Sequence, residues 1–409
     1  MGRFIVIILD GFGIGYMEDT KIVRPQDFGS NTCGNILKNM PNLRLKNLEK
    51  LGLINALDLN IGIMKKNSSA IYGRAALLHK GADTFLGHQE IMGSKPKPPV
   101  EEPFSKSIDK IFNVLKKQGY SVEYKGDKIK FLLVNGCVTI ADNIEADLGQ
   151  VYNITTTFDM FSYDDLIRLA KIVRNNVKVS RVIAFGGENI SIDEILNAAE
   201  EKENKYIGIN APKSGVYKKG YRVHHFGYGI NPNVQLPTIL GKRGIYVCLI
   251  GKVADIVSNE YGESIHCVDT KEVLEITLDK FKNIKSGFIC TNIQETDLAG
   301  HEGNIQKYAD KLLIADEYIG YIMDIMNDND RLIVMADHGN DPTIGHSHHT
   351  REYVPILVYG KNLNPVNIGT RNTLSDVGAT IADYFNVSAT ENGVSFLNSI
   401  YSNKKSRYS

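Results

Sequence analysis

The chain has 409 residues, with 47 basic and 47 acidic side chains and no net charge at pH 7. The balanced charge disfavours a nucleic-acid-binding protein, and a hydrophobic content of 43% excludes a mostly disordered chain. The length predicts two domains, or one large domain that carries an insertion. The apolar run at residues 4–9 is too short for a signal sequence or a membrane span, and five scattered cysteines are typical of reduced thiols. We therefore expect a cytoplasmic protein without nucleic-acid or membrane partners.

Continuous runs of apolar, mostly β-branched residues predict strands that are buried on both faces, as in a parallel sheet. They lie at residues 4–9, 245–250, 287–293, 332–336 and 354–359. Apolar residues at i, i+3, i+4 spacing predict helices over 273–281 and 305–326. Strands that alternate with helices are typical of a sheet covered by helices. The sequence therefore predicts an α/β core with a mostly parallel sheet flanked by helices.

A second region interrupts this alternation. The proline-rich stretch at residues 95–99 is stiff and extended, and it marks a plausible exit from the core. Residues 100–215 then carry helix and strand signals of their own. We expect a discontinuous catalytic core, residues 1–95 and 223–409, with a smaller inserted α/β cap domain at residues 96–222.

Acidic and histidine side chains follow several of the predicted strands, and in open α/β sheets ligands bind beyond the carboxyl ends of the strands. These residues are Asp10, Asp297, His301, Asp337, His338 and His349. Singly, each has an ordinary explanation, since an Asp after a strand often forms a turn or caps a helix. Together, mixed Asp and His ligands suit divalent ions such as Mn²⁺ or Zn²⁺, and three of each can fill two neighbouring sites. Their positions at successive strand ends favour metal ligands.

Two further histidines, His346 and His348, lie just before His349. In a cluster of three histidines usually not every imidazole reaches the metal. We therefore place His346 and His348 behind the ligands or in solvent.

Residues 83–93 contain a candidate nucleophile, Thr84. Taken alone, this segment is also typical of a helix start, with Thr84 as the N-cap and Gly87 and Gly93 shaping turns. A threonine hydroxyl is a poor nucleophile at neutral pH, but it can ionise and attack phosphorus when it is bound to a divalent metal. A metal site close to Thr84 would favour its role as a nucleophile over its role as a helix N-cap. His88, in the same segment, receives no role from the sequence.

Six longer motifs cover much of the chain. They are Asp-Gly-Phe-Gly-Ile-Gly at residues 10–15, Asn-Thr-Cys-Gly-Asn at 31–35, Asp-Thr-Phe-Leu-Gly-His-Gln-Glu-Ile-Met-Gly at 83–93, Ile-Gly-Lys-Val-Ala-Asp-Ile at 250–256, Asp-His-Gly-Asn-Asp-Pro-Thr at 337–343 and His-Thr-Arg-Glu-Tyr-Val-Pro at 349–355. Together they resemble the phosphopentomutase family of the alkaline-phosphatase superfamily. The resemblance implies an alkaline-phosphatase-like core with two divalent ions, Mn²⁺ being expected and Zn²⁺ or Mg²⁺ the alternatives. It also implies a phosphothreonine that passes its phosphoryl group to a sugar phosphate.

Carried onto this chain, the resemblance makes Thr84 the phosphoacceptor. The implied ligands are Asp10, Asp337 and His338, completed by Thr84, for one ion, and Asp297, His301 and His349 for the other. Lys252 would contact phosphate. In the cap, Lys213 and Asp147 are the candidate substrate contacts, although the spacing after Asp147 differs from that of the family.

Two features depart from the family pattern. The step from Asp297 to His301 is four residues long, Asp-x-x-Gly-His, which resembles the cofactor-independent phosphoglycerate mutases. Residues 210–219 read Asn-Ala-Pro-Lys-Ser-Gly-Val-Tyr-Lys-Lys, where the family carries an arginine-rich stretch that grips sugar phosphates. Lysine binds phosphate as a point charge and lacks the bidentate fork of arginine. We therefore expect a divergent paralogue with altered substrate recognition.

Three functions remain open at this point. The first is a phosphopentomutase-like isomerase that interconverts a 1-phosphate and a 5-phosphate of ribose or deoxyribose. The second is a metal-dependent phosphatase or phosphodiesterase that releases the phosphoryl group to water. The third is a non-catalytic metal-binding paralogue. The presence of Thr84 beside all six candidate ligands argues against this third function. In the two enzymatic cases the partner is a small phosphorylated substrate.

Overall fold

The computed structural model describes residues 2–145 and 148–401. Its strands are β1 (Arg3–Leu9), β2 (Ile71–Ala75), β3 (Val122–Lys125), β4 (Phe131–Val134), β5 (Val138–Asp142), β6 (Val151–Thr157), β7 (Arg181–Gly187), β8 (Ala199–Lys202), β9 (Tyr206–Ile209), β10 (Arg222–Gly227), β11 (Val247–Ile250), β12 (Glu263–Ile265), β13 (Gly287–Ile293), β14 (Arg331–Met335), β15 (Val354–Tyr359) and β16 (Val366–Arg371).

The α-helices are α1 (Thr20–Val23), α2 (Thr32–Asn39), α3 (Lys46–Leu51), α4 (Leu53–Leu57), α5 (Thr84–Ile91), α6 (Ile108–Lys117), α7 (Tyr163–Arg174), α8 (Ile192–Asn197), α9 (Ala211–Ser214), α10 (Leu236–Lys242), α11 (Lys252–Ile256), α12 (Thr270–Asn283), α13 (Gln294–His301), α14 (Ile305–Asp324), α15 (Ser375–Tyr384) and α16 (Leu397–Ile400). Short 3₁₀ turns occur at Pro25–Asp27, Phe104–Lys106 and Pro232–Val234. Within the described residues, none of these helices combines the length and apolar character needed to cross a membrane.

Two compact units make up the chain. The larger combines the residues up to Pro96 with those from Asn231 onward, and the smaller is Lys97–Ile230. Strand β10 belongs to the smaller unit because Arg222–Gly227 pairs antiparallel with β7. The expected boundary between residues 222 and 223 therefore falls inside a strand, and the chain leaves the smaller unit later than the composition indicates.

The larger unit is built on a sheet with the strand order β12-β11-β13-β1-β14-β15-β2-β16. Its neighbouring strands are parallel except at β15, which runs antiparallel to both β14 and β2. Strand β1 lies inside the sheet and is buried along its whole length, which explains its continuous apolar sequence. The prediction of an α/β core with a mostly parallel sheet is confirmed.

The topology brings distant segments to one edge of this sheet. Strands β11, β13, β1 and β14 are adjacent and parallel, so the residues that follow them, including Lys252, Asp10 and Asp337, lie at their common carboxyl edge. Because β15 runs in the opposite direction, the segment before it, which contains His349, meets the same edge. Strand β2 is antiparallel to β15, so the segment after β2, which leads to Thr84, also returns there.

The smaller unit contains a sheet with the strand order β10-β7-β6-β5-β4-β3 and the separate hairpin β8-β9. Strands β6 and β7 are parallel, and the other neighbours in the larger of these sheets are antiparallel. Helices α6 and α7 pack on this sheet around an apolar core of their own. The unit is therefore an α/β structure with its own interior.

Candidate active site

Asp10 directly follows β1 and is fully buried. Its Oδ2 lies 2.9 Å from Nζ of Lys252, and its Oδ1 lies 3.4 Å from Nε2 of His338. In the described residues neither oxygen accepts a backbone hydrogen bond, so the side chain does not serve as a turn former or helix cap. Burial opposes the charge of Lys252, but the neighbouring carboxylates, Asp10 first, raise the pKa of Lys252 above its usual value.

Asp337 and His338 follow β14 and are also fully buried. Asp337 accepts a hydrogen bond from the backbone N–H of Gly11 at 3.2 Å, and its Oδ2 lies 3.2 Å from His338 Nε2. Burial disfavours the ionised carboxyl, but His338 and then His88 hold the pKa of Asp337 well below its usual range. Burial also opposes the imidazolium, yet Asp337 raises the pKa of His338 to about 9. We call Asp10, Asp337 and His338 the strand-end cluster.

The remaining predicted ligands form a second group. Asp297 and His301 lie one turn apart on α13, and His349 comes from the loop before β15. Nε2 of His301 lies 3.3 Å from Asp297 Oδ2, and Nε2 of His349 lies 3.4 Å from Asp297 Oδ1. Burial opposes ionisation of Asp297, but Lys252 and the two imidazoles hold its pKa well below the usual range. We call Asp297, His301 and His349 the helix–loop cluster.

The hydrogen bonds of the three histidines assign their protons. Nδ1 of His301, His338 and His349 lies 2.5, 2.9 and 2.9 Å from the backbone oxygens of Ser347, Gly339 and Ala82, respectively. A carbonyl oxygen only accepts, so Nδ1 carries a proton in each ring, and Nε2 is the nitrogen that a ring offers to a metal ion once it gives up its other proton.

The Nε2 atoms of the three rings lie close to one another and to carboxylates. The Nε2 atoms of His301 and His349 are only 3.1 Å apart, and within the described residues His338 Nε2 makes no hydrogen bond. Carboxylates and imidazole Nε2 atoms that converge in this way fit a bound cation. The residues present therefore match the divalent metal that their types predict.

Within the part of the chain that the structure describes, three sets of side chains bring potential ligand atoms within 4.8 Å of one another. They are Asp297, His301 and His349; Asp10, His88 and Asp337; and Asp10, Asp297 and His338. The sets share members, so the two clusters adjoin rather than lie apart. The rings of His338 and His349 stack with centroids 3.9 Å apart, which joins one cluster to the other.

Thr84 is the first residue of α5, and the cap of this helix is Asp83, whose Oδ1 accepts from Leu86 N at 2.8 Å. The alternative in which Thr84 caps the helix is therefore wrong. Its hydroxyl is left to donate to Asp337 Oδ2 at 2.7 Å. Gly87 permits this approach, because a Cβ at that position would lie 2.6 Å from the Asp337 backbone oxygen.

His88 is a buried residue of this site whose role the sequence did not reveal. Its Nδ1 lies 2.8 Å from the Thr84 carbonyl oxygen and 3.2 Å from Asp337 Oδ2. Its Nε2 lies 2.9 Å from Nδ2 of Asn292, at the end of β13. Both ring nitrogens thus have partners, so His88 is suited to orient Thr84 and Asp337 rather than to bind a metal. The i, i+4 spacing from Thr84 on a helix was the available signal.

The predicted substrate contacts fall in different places. Lys252 lies in the site, against Asp10 and Asp297. Lys213 lies on α9 of the smaller unit, where its Nζ pairs with Glu200 at 3.1 Å and its side chain is 58% exposed. Asp147 lies outside the described residues.

His346 and His348 also differ from each other. Nε2 of His346 lies 3.2 Å from Oδ1 of the buried Asp27, whereas His348 is exposed. Neither Asp27 nor Arg24, three residues before it, belongs to a motif that can be recognised in the sequence.

Comparison with known proteins identifies the family. A profile of the metalloenzyme superfamily matches residues 2–389. The phosphopentomutase of Acetivibrio thermocellus is 34% identical over 98% of this chain and the whole of that relative, and that of Caldanaerobacter subterraneus is 32% identical over 97% of each. Among solved structures, the phosphoglycerate mutase of Leishmania mexicana is similar over 96% of this chain and 97% of its own, with 11% identity and a TM-score of 0.47. The full-length matches to the two phosphopentomutases, together with the clustered Asp and His side chains, support an enzyme that binds divalent metal. The chain belongs to the metalloenzyme superfamily and, within it, to the phosphopentomutase family, as its motifs predict.

Proposed function

We propose that this enzyme interconverts a 1-phosphate and a 5-phosphate of ribose or deoxyribose through a phosphoryl group carried by Thr84. The observation that carries the proposal is the hydroxyl of Thr84, which donates to Asp337 at 2.7 Å beside both clusters. Membership of the phosphopentomutase family supports an isomerase rather than a hydrolase.

The two clusters are our proposed sites for two divalent ions. The strand-end cluster, with Thr84, would hold one ion, and the helix–loop cluster would hold the other. Mixed carboxylate and imidazole donors suit Mn²⁺, which we expect, and also Zn²⁺, whereas Mg²⁺ prefers oxygen donors. When bound, such ions lower the pKa of a coordinated hydroxyl and offset charge on a phosphoryl group.

The side chains of the site divide the remaining tasks. Asp337, which is ionised, holds the Thr84 proton toward itself and leaves the oxygen lone pairs for phosphorus. The bond from Thr84 Oγ1 to phosphorus forms as the bond from phosphorus to the sugar oxygen breaks, and the Thr84 proton passes by way of Asp337 to that sugar oxygen. In the second step the other sugar hydroxyl attacks phosphorus, the bond from phosphorus to Thr84 Oγ1 breaks, and the hydroxyl proton returns to Thr84 by way of Asp337. Lys252 supplies a fixed positive charge beside the site.

Substrate recognition is the finer part of the proposal. Residues 210–219 offer Lys213, Lys218 and Lys219 in place of arginines, and Lys213 is already paired with Glu200. Charge-assisted hydrogen bonds contribute about 1.5–3 kcal/mol each, so two lost bidentate contacts lower affinity for a sugar phosphate by roughly two to four orders of magnitude. We therefore expect kcat/KM on pentose phosphates below that of typical relatives.

The proposed location is the cytoplasm. The five cysteines, all within the described residues, are free thiols, and four of them are buried. Free thiols support a reducing compartment.

The test follows the phosphoryl group. Protein reconstituted with Mn²⁺ is incubated with deoxyribose 1-phosphate or ribose 5-phosphate, and intact mass with peptide mapping locates any phosphoryl group. We expect it on Thr84, together with isomerised product. Thr84→Ala should lose both while it still binds metal, since only one ligand oxygen is removed, and Thr84→Ser should retain part of the activity.

Thr370→Ala, at an exposed threonine on β16, is the matched control and should behave as the unaltered enzyme. Release of inorganic phosphate without an isomer would favour the phosphatase alternative. Wild-type turnover by Thr84→Ala would contradict the phosphothreonine mechanism altogether.

A further inference from the structure

One loop places two ligands of the helix–loop cluster. The backbone oxygen of Ser347 lies 2.5 Å from Nδ1 of His301, and His349 comes from the same loop two residues later. His349 Nδ1 is itself held by the oxygen of Ala82 at 2.9 Å. The directions of both Nε2 atoms therefore depend on where residues 346–349 lie.

Asp27 fastens this loop on both sides of His349. It is fully buried at the end of the 3₁₀ turn Pro25–Asp27. Its Oδ2 accepts from the backbone N–H of Arg351 at 2.9 Å, and its Oδ1 lies 3.2 Å from Nε2 of His346. A single carboxylate thus contacts the residue three before and the residue two after His349.

Arg24 extends this contact to His349 itself. Its Nε donates to Asp27 Oδ2 at 2.6 Å, and its NH2 group donates to the His349 backbone oxygen at 3.1 Å. The side chain of His346 is also oriented, because its Nδ1 accepts from the backbone N–H of His348 at 3.3 Å. Nε2 of the same ring is the atom that lies near Asp27 Oδ1, although within the described residues the two atoms make no hydrogen bond.

We propose that Asp27 is a positioning residue for the helix–loop cluster, acting through His346, Arg24 and the backbone of residues 347–351. The inference rests on the proposed function, because it takes this cluster as a metal site. Partners behind the ligands typically tune metal affinity about 10- to 100-fold, since they fix the direction of the ligand lone pairs.

The strand-end cluster is held by other groups. Asp337 is fixed by Gly11 and Thr84, and His338 by the backbone oxygen of Gly339. The contacts of Asp27 and His346 lead to the loop and to Arg24 instead. Loss of Asp27 should therefore weaken one metal site and spare the other.

The experiment is a competition titration of Mn²⁺ against a chromogenic chelator. In Asp27→Asn, which keeps an acceptor for Arg351 but loses the charge, we expect one ion to bind roughly 10- to 100-fold more weakly and the other to bind as in the wild type. His301→Ala, which removes a ligand of the helix–loop cluster, identifies the affected ion. Thermal unfolding of the metal-free variants confirms that they fold.

His346→Gln keeps the test decisive if Asp27→Asn fails to fold, because His346 lies nearer the surface. His346→Gln should weaken binding of the same ion, by less than Asp27→Asn does. The double variant should lose no more Mn²⁺ affinity than Asp27→Asn alone, because the two residues act as one unit. His348→Gln, two residues away and exposed, is the matched control and should leave both affinities unchanged.

Two outcomes would overturn the inference and can be told apart. If wild type binds two ions and Asp27→Asn and His346→Gln change neither affinity, or both equally, Asp27 has no positioning role. If wild type takes up no Mn²⁺, the proposed function fails, and this inference fails with it.

Discussion

The strand-end cluster and the helix–loop cluster use the same residue types but hold them differently. Asp10 directly follows β1, Asp337 and His338 follow the end of β14 after one intervening residue, and all three are fully buried. His301 and His349 depend on a loop, and the side chain of His301 is 37% exposed. The sheet fixes the position of a residue at the end of a strand, whereas a residue in a loop needs local partners such as Asp27 to fix its position.

This difference separates what the two clusters depend on. At the strand-end cluster, the groups that would bind metal are also part of the packed core, so removing one affects stability and chemistry together. At the helix–loop cluster, affinity can change while the fold stays intact.

The largest effect is expected at Asp337. Asp337→Asn removes a proposed anionic ligand and the charged acceptor of the Thr84 hydroxyl, so one ion should be lost and phosphoryl transfer should fall by roughly 10³-fold or more. Metal analysis and a coupled isomerase assay measure both quantities. Asp279→Asn, on the exposed side of α12, should change neither, and retention of both ions by Asp337→Asn would remove Asp337 from the strand-end site.

The two histidines give the sharpest contrast. His301→Ala should weaken one ion beyond the roughly 100-fold typical of outer partners and leave the metal-free free energy of unfolding nearly unchanged. His338→Ala should weaken the other ion and also lower that free energy by about 2 kcal/mol, because it opens a buried polar site. Chelator competition and urea denaturation provide the readouts, with the exposed His266→Ala as control. If His301→Ala and His338→Ala lowered the free energy of unfolding equally, the two clusters would not differ in their contribution to stability.

The loop that carries His349 is followed by Glu352, a buried carboxyl group with a shifted pKa. Glu352 is buried and accepts hydrogen bonds from Gly15, Thr32 and Thr350, and burial raises its pKa from 4.5 to about 7. Between these values the folded state keeps a proton that the unfolded state loses. The free energy of unfolding should therefore fall by up to about 3 kcal/mol as the pH rises from 4.5 to 7.

Glu352→Gln isolates this contribution. Urea denaturation in chelator at several pH values should show the wild type losing stability relative to Glu352→Gln across pH 4.5–7 and no further above it. The exposed Glu123→Gln should keep a constant difference from the wild type. A constant difference for Glu352→Gln as well would mean that this carboxyl titrates normally.

The smallest effect is expected at His88. His88→Gln keeps hydrogen-bonding groups near Thr84 and Asn292 but changes their reach, so Thr84 should be less well aligned. We expect kcat to fall roughly 10-fold with little change in KM or in the affinity for Mn²⁺. Loss of an ion instead would assign His88 to the strand-end site as a ligand.

The sequence predicted the sheet and the convergence of the Asp and His side chains for a physical reason. Residues that follow parallel strands must meet at one edge, so Asp10 and Asp337 can be brought together without knowledge of any contact. The strands were visible because burial on both faces leaves continuous apolar runs. The helix predicted over 273–281 is longer, Thr270–Asn283, because Asp269 caps it by accepting from Lys271 and Glu272.

The contacts that the sequence did not predict lie in loops and at helix ends, where the backbone is irregular and leaves no periodic pattern in the sequence. Asp27 and His346 are 319 residues apart and meet only because two loops adopt particular shapes. The N-cap of α5 is Asp83 and not Thr84, and the sequence could not distinguish them because both residue types are favoured at an N-cap. The pairing of Lys213 with Glu200 likewise depends on the fold of the smaller unit.

The central place of β1 has a consequence for how the chain is made. Its neighbours are β13 and β14, and β13 begins 278 residues after β1 ends. At ordinary rates of synthesis, Phe4–Leu9 leaves the ribosome roughly 14–56 s before its first partner strand. The strands of the smaller unit, by contrast, mostly pair with sequence neighbours and can assemble meanwhile. A nascent or truncated chain that stops before Gly287 therefore presents an unpaired apolar strand, which makes it a substrate for chaperones and a source of aggregation.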